Sequence, residues 1–345
     1  MEALYTVLDA FIDQVSDHTI EVFGSGLIHH SYVVKKNEEK VYILQEVNHT
    51  VFKWPENIAN NIESLSAWLQ KTGSKTMLPC PVKTKDHEHY HVINGAYYRL
   101  IPFVENSHSI NVCNIPEEAY QASLQFGNFT ASFQHFPVDS LKPTIIGFHD
   151  LSFRWKQFRE ALNNGNSKRI NATTQIIADL ENDYTIVSFY DKILNARTFS
   201  SRVTHHDTKI SNVLFDDHQK GICVIDLDTV MPGFFISDLG DMFRTYLSPA
   251  NEEEKDMNLV EARREFYQAI IEGYKERMAD QMSTDEIKHL NYAGEFMIYM
   301  QALRFFTDFL NNDIYYNTQY PDNNLVRTLN QLKLLKSFRG IIAYA

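Results

Sequence analysis

Cysteine is scarce in this chain. Cys80, Cys113 and Cys223 are far apart, odd in number and free of any CxxC or CxxH spacing. Neither a disulfide framework nor a zinc site is expected, and the thiols are read as small buried apolar groups. Long hydrophobic runs are also missing: no window approaches the roughly 18 uninterrupted apolar residues of a membrane span, and the first residues show no basic stretch leading into an apolar one. There is no Lys/Arg block either. With 32 basic against 44 acidic residues and a formal net charge of −12, nothing suggests counterion release from a phosphate backbone, so nucleic acid and anionic membrane are not expected as partners. Together these absences fit a reducing cytoplasm. Internal repeats and low-complexity tracts are lacking as well.

What is present is enough apolar material, 44% of 345 residues, for one large core or two moderate ones. A first helical stretch ends near Val15. Residues 19–47 then alternate between β-branched or aromatic and polar side chains, as in Ser31-Tyr32-Val33-Val34 and Val41-Tyr42-Ile43-Leu44-Gln45, the period of antiparallel strands. The polar Lys36-Asn37-Glu38-Glu39 cluster suits the turn of a hairpin. Pro55 opens a helix with Ile58, Ile62, Leu65 and Leu69 on one face and Gly73 at its end. Strands are expected at Pro81 to Lys85 and Gly95 to Val104, with His87, His89 and His91 on the solvated turn between them. Beyond Glu105 the period changes. Pro116 opens a helix, and 151–163, 172–194, 254–279, 284–312 and 322–338 read as helical, while 201–230 reads as strand, loop, strand. The expected architecture is α+β, with a small antiparallel-sheet lobe over 1–105 and a large mainly helical lobe over 106–345. A hinge near Pro102 to Asn106 would leave a cleft between them for a ligand.

The chemistry concentrates where polar groups interrupt the apolar pattern, at Arg202-Val203-Thr204-His205-His206-Asp207-Thr208-Lys209-Ile210-Ser211-Asn212. Phosphoryl transfer needs a carboxylate to orient the attacking hydroxyl, a cation near the moving phosphate and oxygen ligands for Mg²⁺. Asp207, Lys209 and Asn212 offer these groups within six residues, and the apolar run Ile222-Cys223-Val224-Ile225 then delivers Asp226. A loop with capping Asp and Asn residues would not explain the carboxylate, cation, amide and second carboxylate in that order. Asp228 lies two residues further on, where a continuing strand would put it on the same face as Asp226. It reads either as a contact to a second metal or substrate, or as a loop carboxylate capping nearby amides. Asp238 and Asp241 fall at a helix start and read as structural, stabilised by exposed amides and the helix dipole. Gly24-Ser25-Gly26 precedes a strand and reads either as a loop whose backbone amides approach phosphates or as a plain turn. Gln45, on the strand Tyr42-Ile43-Leu44-Gln45-Glu46, is a candidate nucleotide contact that can donate a hydrogen bond but brings no charge.

The Asp-x-Lys-x-x-Asn spacing with a following strand aspartate resembles the catalytic and metal-binding loops of the kinase fold, in its aminoglycoside and choline phosphotransferase branch. The likeness extends through Gly24-Ser25-Gly26-Leu27-Ile28-His29-His30-Ser31-Tyr32, Tyr42-Ile43-Leu44-Gln45, Val51-Phe52-Lys53, Val224-Ile225-Asp226-Leu227-Asp228-Thr229-Val230-Met231-Pro232-Gly233 and Ala302-Leu303-Arg304-Phe305-Phe306-Thr307-Asp308-Phe309-Leu310. In that order these stretches look like the bacterial N-acetylhexosamine 1-kinases. The resemblance implies a two-lobed kinase-like fold, ATP and Mg²⁺ as cofactors, and phosphate transfer to the anomeric hydroxyl of an N-acetylhexosamine. It makes Asp207 the base, Lys209 the stabiliser of the transferring phosphate, and Asn212 and Asp226 the Mg²⁺ ligands. His30, Tyr246, Arg304, Tyr315 and Tyr316 become candidate sugar contacts, with packing roles as the alternative for each. Kinases of amino alcohols, aminoglycosides or homoserine, and a non-catalytic binding module, are the competing readings.

Overall fold

The computed structural model describes residues 2–24 and 28–343. Its first third is built on a sheet. Helix α1 (Glu2–Asp9) and strands β1 (His18–Val22), β2 (His30–Lys36) and β3 (Glu39–Val47) are followed by α2 (Pro55–Thr72), β4 (His91–Ile93) and β5 (Ala96–Pro102). The five strands form one antiparallel sheet in the order β1-β2-β3-β5-β4. The β2–β3 hairpin closes through Asn37 and Glu38, both at positive φ (50° and 68°) with Lys36 opposite Glu39, which is the two-residue turn that matches strand twist. Val34, Leu44 and Leu100 of the sheet pack on Leu4, Val7 and Leu8 of α1 in a small core of their own.

Helix α2 does not belong to that core. Pro55 at its start and Gly73 in the left-handed region at its end give it the bounds read from the sequence. Its Ile58, Ile62, Leu65 and Leu69 are buried in the large core, each side chain contributing about 1.5–3 kcal/mol by removal from water. The large core is otherwise made by a helical body: β6 (His108–Ser109), α3 (Pro116–Ala131), α4 (Leu151–Asn164), α5 (Ser167–Ala172), α6 (Thr174–Asn182), α7 (Tyr184–Ala196), β7 (Arg202–Thr204), β8 (Val213–Phe215), β9 (Gly221–Val224), β10 (Met231–Gly233), α8 (Phe235–Tyr246), α9 (Arg264–Met278), α10 (Thr284–Lys288), α11 (Leu290–Leu310) and α12 (Asn323–Ile342). Here β8 lies between β6 and β9, and β7 pairs with β10. The result is the expected small antiparallel lobe against a large helical one, and no helix among the described residues is long and apolar enough to cross a membrane.

Several expectations are corrected. The first helix stops at Asp9, and a single 3₁₀ turn (Val15–Asp17) precedes β1. Pro81 to Lys85 is no strand but makes one isolated bridge, Val82 to Leu100. Pro81 has no N–H to offer a ladder, and Thr84 turns the chain by accepting Glu88 N–H at its hydroxyl. His91 lies in β4 rather than on a turn. The helix expected from 254 begins only at Arg264, and the segments 172–194 and 284–312 break at Asp183 and His289.

Candidate active site

The loop between β7 and β8 carries Asp207, Lys209 and Asn212, and the chain leaving β9 carries Asp226 and Asp228. Two buried acids of α8 hold the first loop in place. Asp238 accepts the backbone N–H groups of His205 (3.0 Å) and His206 (2.7 Å), and Asp241 accepts that of Thr208 (2.8 Å). These residues are structural as expected, but they cap a distant loop and not their own helix, whose N-cap is Phe234. Burial pushes the Asp238 carboxyl up to about 7 against its two amide donors. Tyr246, at the other end of α8, is fully buried and donates its hydroxyl to the Thr208 carbonyl. It therefore supports the loop from below, which corrects its reading as a sugar contact.

On this frame the Asp207 carboxylate accepts from Lys209 Nζ (3.0 Å) and Asn212 Nδ2 (3.0 Å). Burial works to raise its pKa, but Lys209, His205 and Asn212 outweigh burial and hold it below the ordinary carboxylate range. His205 and His206 are enclosed beside it, and burial lowers both imidazoles to about 4. The two loops are laced together: Ile225 N–H donates to the Asn212 carbonyl (2.9 Å), the His205 ring bonds the Ile225 carbonyl (3.0 Å), and Thr229 donates to the His205 carbonyl (2.6 Å).

Asp226 sits in the left-handed region (φ 61°) and keeps part of its surface accessible at the mouth of a recess. Surrounding protein limits its access to bulk water, Asp228 and Asp207 add negative charge, and the carboxyl is pushed up to about 6. A crowded carboxylate of this kind favours a cation. Asn212 is bonded through its backbone carbonyl to Ile225, the residue before Asp226, and its amide nitrogen is committed to Asp207. An all-oxygen set from Asp226 and Asn212 fits Mg²⁺.

Asp228 behaves differently from its sequence reading. The strand ends at Val224, and Leu227–Thr229 is a 3₁₀ turn, so the two aspartates do not share a strand face. Asp228 is buried, with Arg99 of β5 bidentate on it (Nη1–Oδ1 2.5 Å, Nη2–Oδ2 3.0 Å) and His29 Nε2 on Oδ2 at 2.8 Å. These partners hold its carboxyl well below the usual range against the upward push of burial. His29 Nδ1 accepts Asn48 N–H at 3.1 Å, which places the ring proton on Nε2, aimed at Asp228. His29, Asp226 and Asp228 do bring ligand-type atoms within 4.8 Å of one another; even so, the oxygens of Asp228 are engaged by the guanidinium and the imidazole.

Gln45 is absorbed by the same network. Ser31, Gln45 and Arg99 lie side by side across β2, β3 and β5, where Gln45 donates to Ser31 Oγ (3.0 Å) and accepts from Arg99 Nε (3.0 Å) and Nη2 (2.8 Å). Its oxygen and one amide N–H are thus engaged by protein partners, and its second amide N–H remains for the nucleotide contact proposed for it. Gly24 has φ 75° and nothing near a would-be Cβ, as a loop that exposes its backbone requires. Ser25 and Gly26 lie outside the described residues.

The candidate sugar residues divide. His30 is exposed at the start of β2. Arg304 of α11 lies over the rings of Phe148 (5.2 Å) and Tyr316 (5.6 Å), and Phe148 and His149 in turn face the His206 ring at 6.4 and 5.1 Å between centroids. Buried Asp308 accepts the amides of Tyr315 (2.8 Å) and Tyr316 (2.9 Å) and so sets the loop that bears them. Tyr315 is exposed and stacks edge-on against Tyr316. Arg154 joins this group. Burial and the nearby Arg304 charge lower its pKa to about 10.

Arg99, His29, Phe148, His149 and Arg154 were missed as site residues. For one of them a signal existed: Arg99 is a lone charge between Tyr98 and Leu100 in a strand.

The two-lobed fold with a carboxylate, lysine and amide on one loop and a further carboxylate on the next defines a phosphotransferase of the kinase-like class. Residues 19–279 match the phosphotransferase enzyme family, and the chain belongs to it. Among solved structures, an aminoglycoside phosphotransferase from Alicyclobacillus acidocaldarius is similar over 99% of this chain and 96% of its own, with a TM-score of 0.67 and 13% identity. A microcompartment-associated aminopropanol kinase gives the same TM-score, 0.67, at 14% identity over 99% of this chain and 97% of its own. A spectinomycin phosphotransferase in complex with ADP and spectinomycin gives 0.58 at 14% identity over 98% of each chain. At these identities the likeness is one of fold.

Proposed function

We propose that this phosphotransferase moves the γ-phosphate of ATP to the anomeric hydroxyl of an N-acetylhexosamine. The observation that carries the phosphotransfer reading is the Asp207 carboxylate, ionised between Lys209 and Asn212 and laced to the chain segment bearing Asp226. Asp207 accepts a hydrogen bond from the acceptor hydroxyl and takes its proton as the oxygen attacks phosphorus and ADP leaves. Lys209 offsets charge on the transferring phosphate. Asn212 and Asp226 would hold Mg²⁺, which when bound neutralises the phosphate oxygens. Positioning of the acceptor supplies much of the rate.

The acceptor reading rests on the sequence likeness together with the side chains gathered near His206. Arg304, Phe148 and Tyr316 offer an aromatic surface and a guanidinium fork, suited to a ring with hydroxyl and carbonyl groups. Among the described residues neither Arg154 nor Arg304 forms an ion pair with a carboxylate, although they lie close enough to depress Arg154. Two neighbouring guanidinium groups disfavour a cationic amino alcohol or aminoglycoside, despite the overall charge of −12. The test is an acceptor panel with ATP and Mg²⁺ read by phosphorus NMR. An anomeric phosphate is expected with N-acetylglucosamine or N-acetylgalactosamine, and product only with amino alcohols would reject the assignment. Asp207→Asn should lose on the order of 10²–10⁴ in turnover with its melting temperature kept; near-normal turnover would remove Asp207 from its role.

A further inference from the structure

On β3 the residue beside Arg99 is the uncharged Gln45, yet the sheet does send one buried cation toward the catalytic segment. Arg99 is buried on β5, and the hydrogen-bonded row Ser31, Gln45, Arg99 crosses three strands to end on Asp228 of the helical lobe. Other groups from the first half of the chain converge on the same short segment. His29 bonds Asp228, and Asn61 of α2 donates to the Val230 carbonyl at 3.0 Å. Between the pair at Asp228 and the strand end at Val224 lies Asp226, held at φ 61°. That conformation costs a non-glycine residue energy and persists only where its surroundings impose it.

We infer that Arg99 is a positioning residue for phosphotransfer: through its bidentate grip on Asp228 it fixes the Leu227–Thr229 turn and so aims the Asp226 carboxylate at the metal. Asp228 is then the counter-ion of the sheet lobe rather than a metal ligand. The inference rests on the reading of Asp226 as the Mg²⁺ ligand. The guanidinium has little freedom to meet a phosphate itself, because its Nε and both terminal nitrogens are engaged by Gln45 and Asp228. A planar fork is the group suited to this task, since it fixes both carboxylate oxygens at once where an ammonium fixes one.

The experiment measures, by calorimetry on the full chain, the Mg²⁺ concentration that half-saturates ADP binding, alongside kcat, KM for ATP and the melting temperature. Residues that orient a metal ligand typically change metal affinity by about 10–100-fold, so Arg99→Gln should raise the Mg²⁺ midpoint by about tenfold or more. Arg99→Lys should restore only part of it. Asp228→Asn should raise it as well, and the double variant should be no worse than the poorer single one. A wild-type midpoint in a folded Arg99→Gln protein overturns the inference. So does a lower midpoint, because Asp228 freed of Arg99 would then be acting as a ligand. If Arg99→Gln does not fold, Arg99→Lys decides: an unchanged midpoint rejects the role and a raised one supports it. Asp226→Asn separates the underlying reading. Should it leave the Mg²⁺ midpoint unmoved, the metal assignment itself fails and the role of Arg99 falls with it.

Discussion

Two adjacent histidines show how strongly the catalytic loop depends on enclosure. His205 and His206 are buried, and their folded pKa values near 4 lie below the ordinary 6.5. Between those values the unfolded chain binds protons that the folded chain refuses, so stability is fully present above about pH 6.5 and declines as pH falls toward 4. A shift of this size is worth at most about 3 kcal/mol for each ring, at about 1.36 kcal/mol per unit. Urea midpoints at pH 7 and pH 4.5 should therefore differ less in His206→Gln than in wild type, and equal differences would contradict the burial argument. At this scale the sequence was informative about chemistry and silent about partners. Asp207, Lys209, Asn212 and Asp226 could be picked out because their order has a chemical meaning. Arg99 and Asp228 find each other across 129 positions of chain, and no local pattern encodes that meeting. Tyr246 had a plausible position but points inward, because α8 buries most of its length, polar residues included.

Elements succeed or fail on how closely their backbones approach. Helix α8, which carries the acids that hold the catalytic loop, crosses α11 at Gly240, where an added Cβ would run into the Ala293 carbonyl oxygen and the Met297 side chain. Gly240→Ala should destabilise the protein by about 1–3 kcal/mol, as overpacking of a tight contact does. Gly340 in α12 is the internal control, because nothing lies within 4 Å of its would-be Cβ. There alanine restricts the unfolded chain without a clash, and a gain of about 0.4–1 kcal/mol is expected. Thermal melts of the two variants check both signs; a Gly240→Ala protein as stable as wild type would show that the helices can move apart. Helix bounds were legible where a proline or glycine marks them, as at Pro55, Gly73 and Pro116. They were misjudged where periodicity ran on through a break. The breaks at Asp183 and His289 carry no proline or glycine, and 251–263 is irregular although its composition would suit a helix.

The two lobes are unequal partners. The sheet keeps a small core around Val34, Leu44 and Leu100, while α2, which lies between β3 and β4 in sequence, buries its apolar face in the large core. Sequence position alone assigned α2 to the strand-rich lobe, since its apolar stripe says that it packs but not on what. Packing therefore predicts a different division of cooperativity from the one that chain order suggests. Leu44→Ala should open the β1–β5 sheet by about 2–5 kcal/mol, the usual cost of such a truncation in a core, and amide exchange there should accelerate. Amides of α2 should stay protected with α3 and α8, because local opening follows shared buried contacts rather than order along the chain. Exchange measured by mass spectrometry on wild type and Leu44→Ala resolves the two cases. Acceleration in α2 matching that of the sheet would place it in the small lobe. Protection unchanged in α2 would make the boundary that matters run between α2 and the sheet, and would leave the segment around Asp226 gripped by one element from each cooperative unit: Asn61 from the stable body and Arg99 from the sheet that opens first.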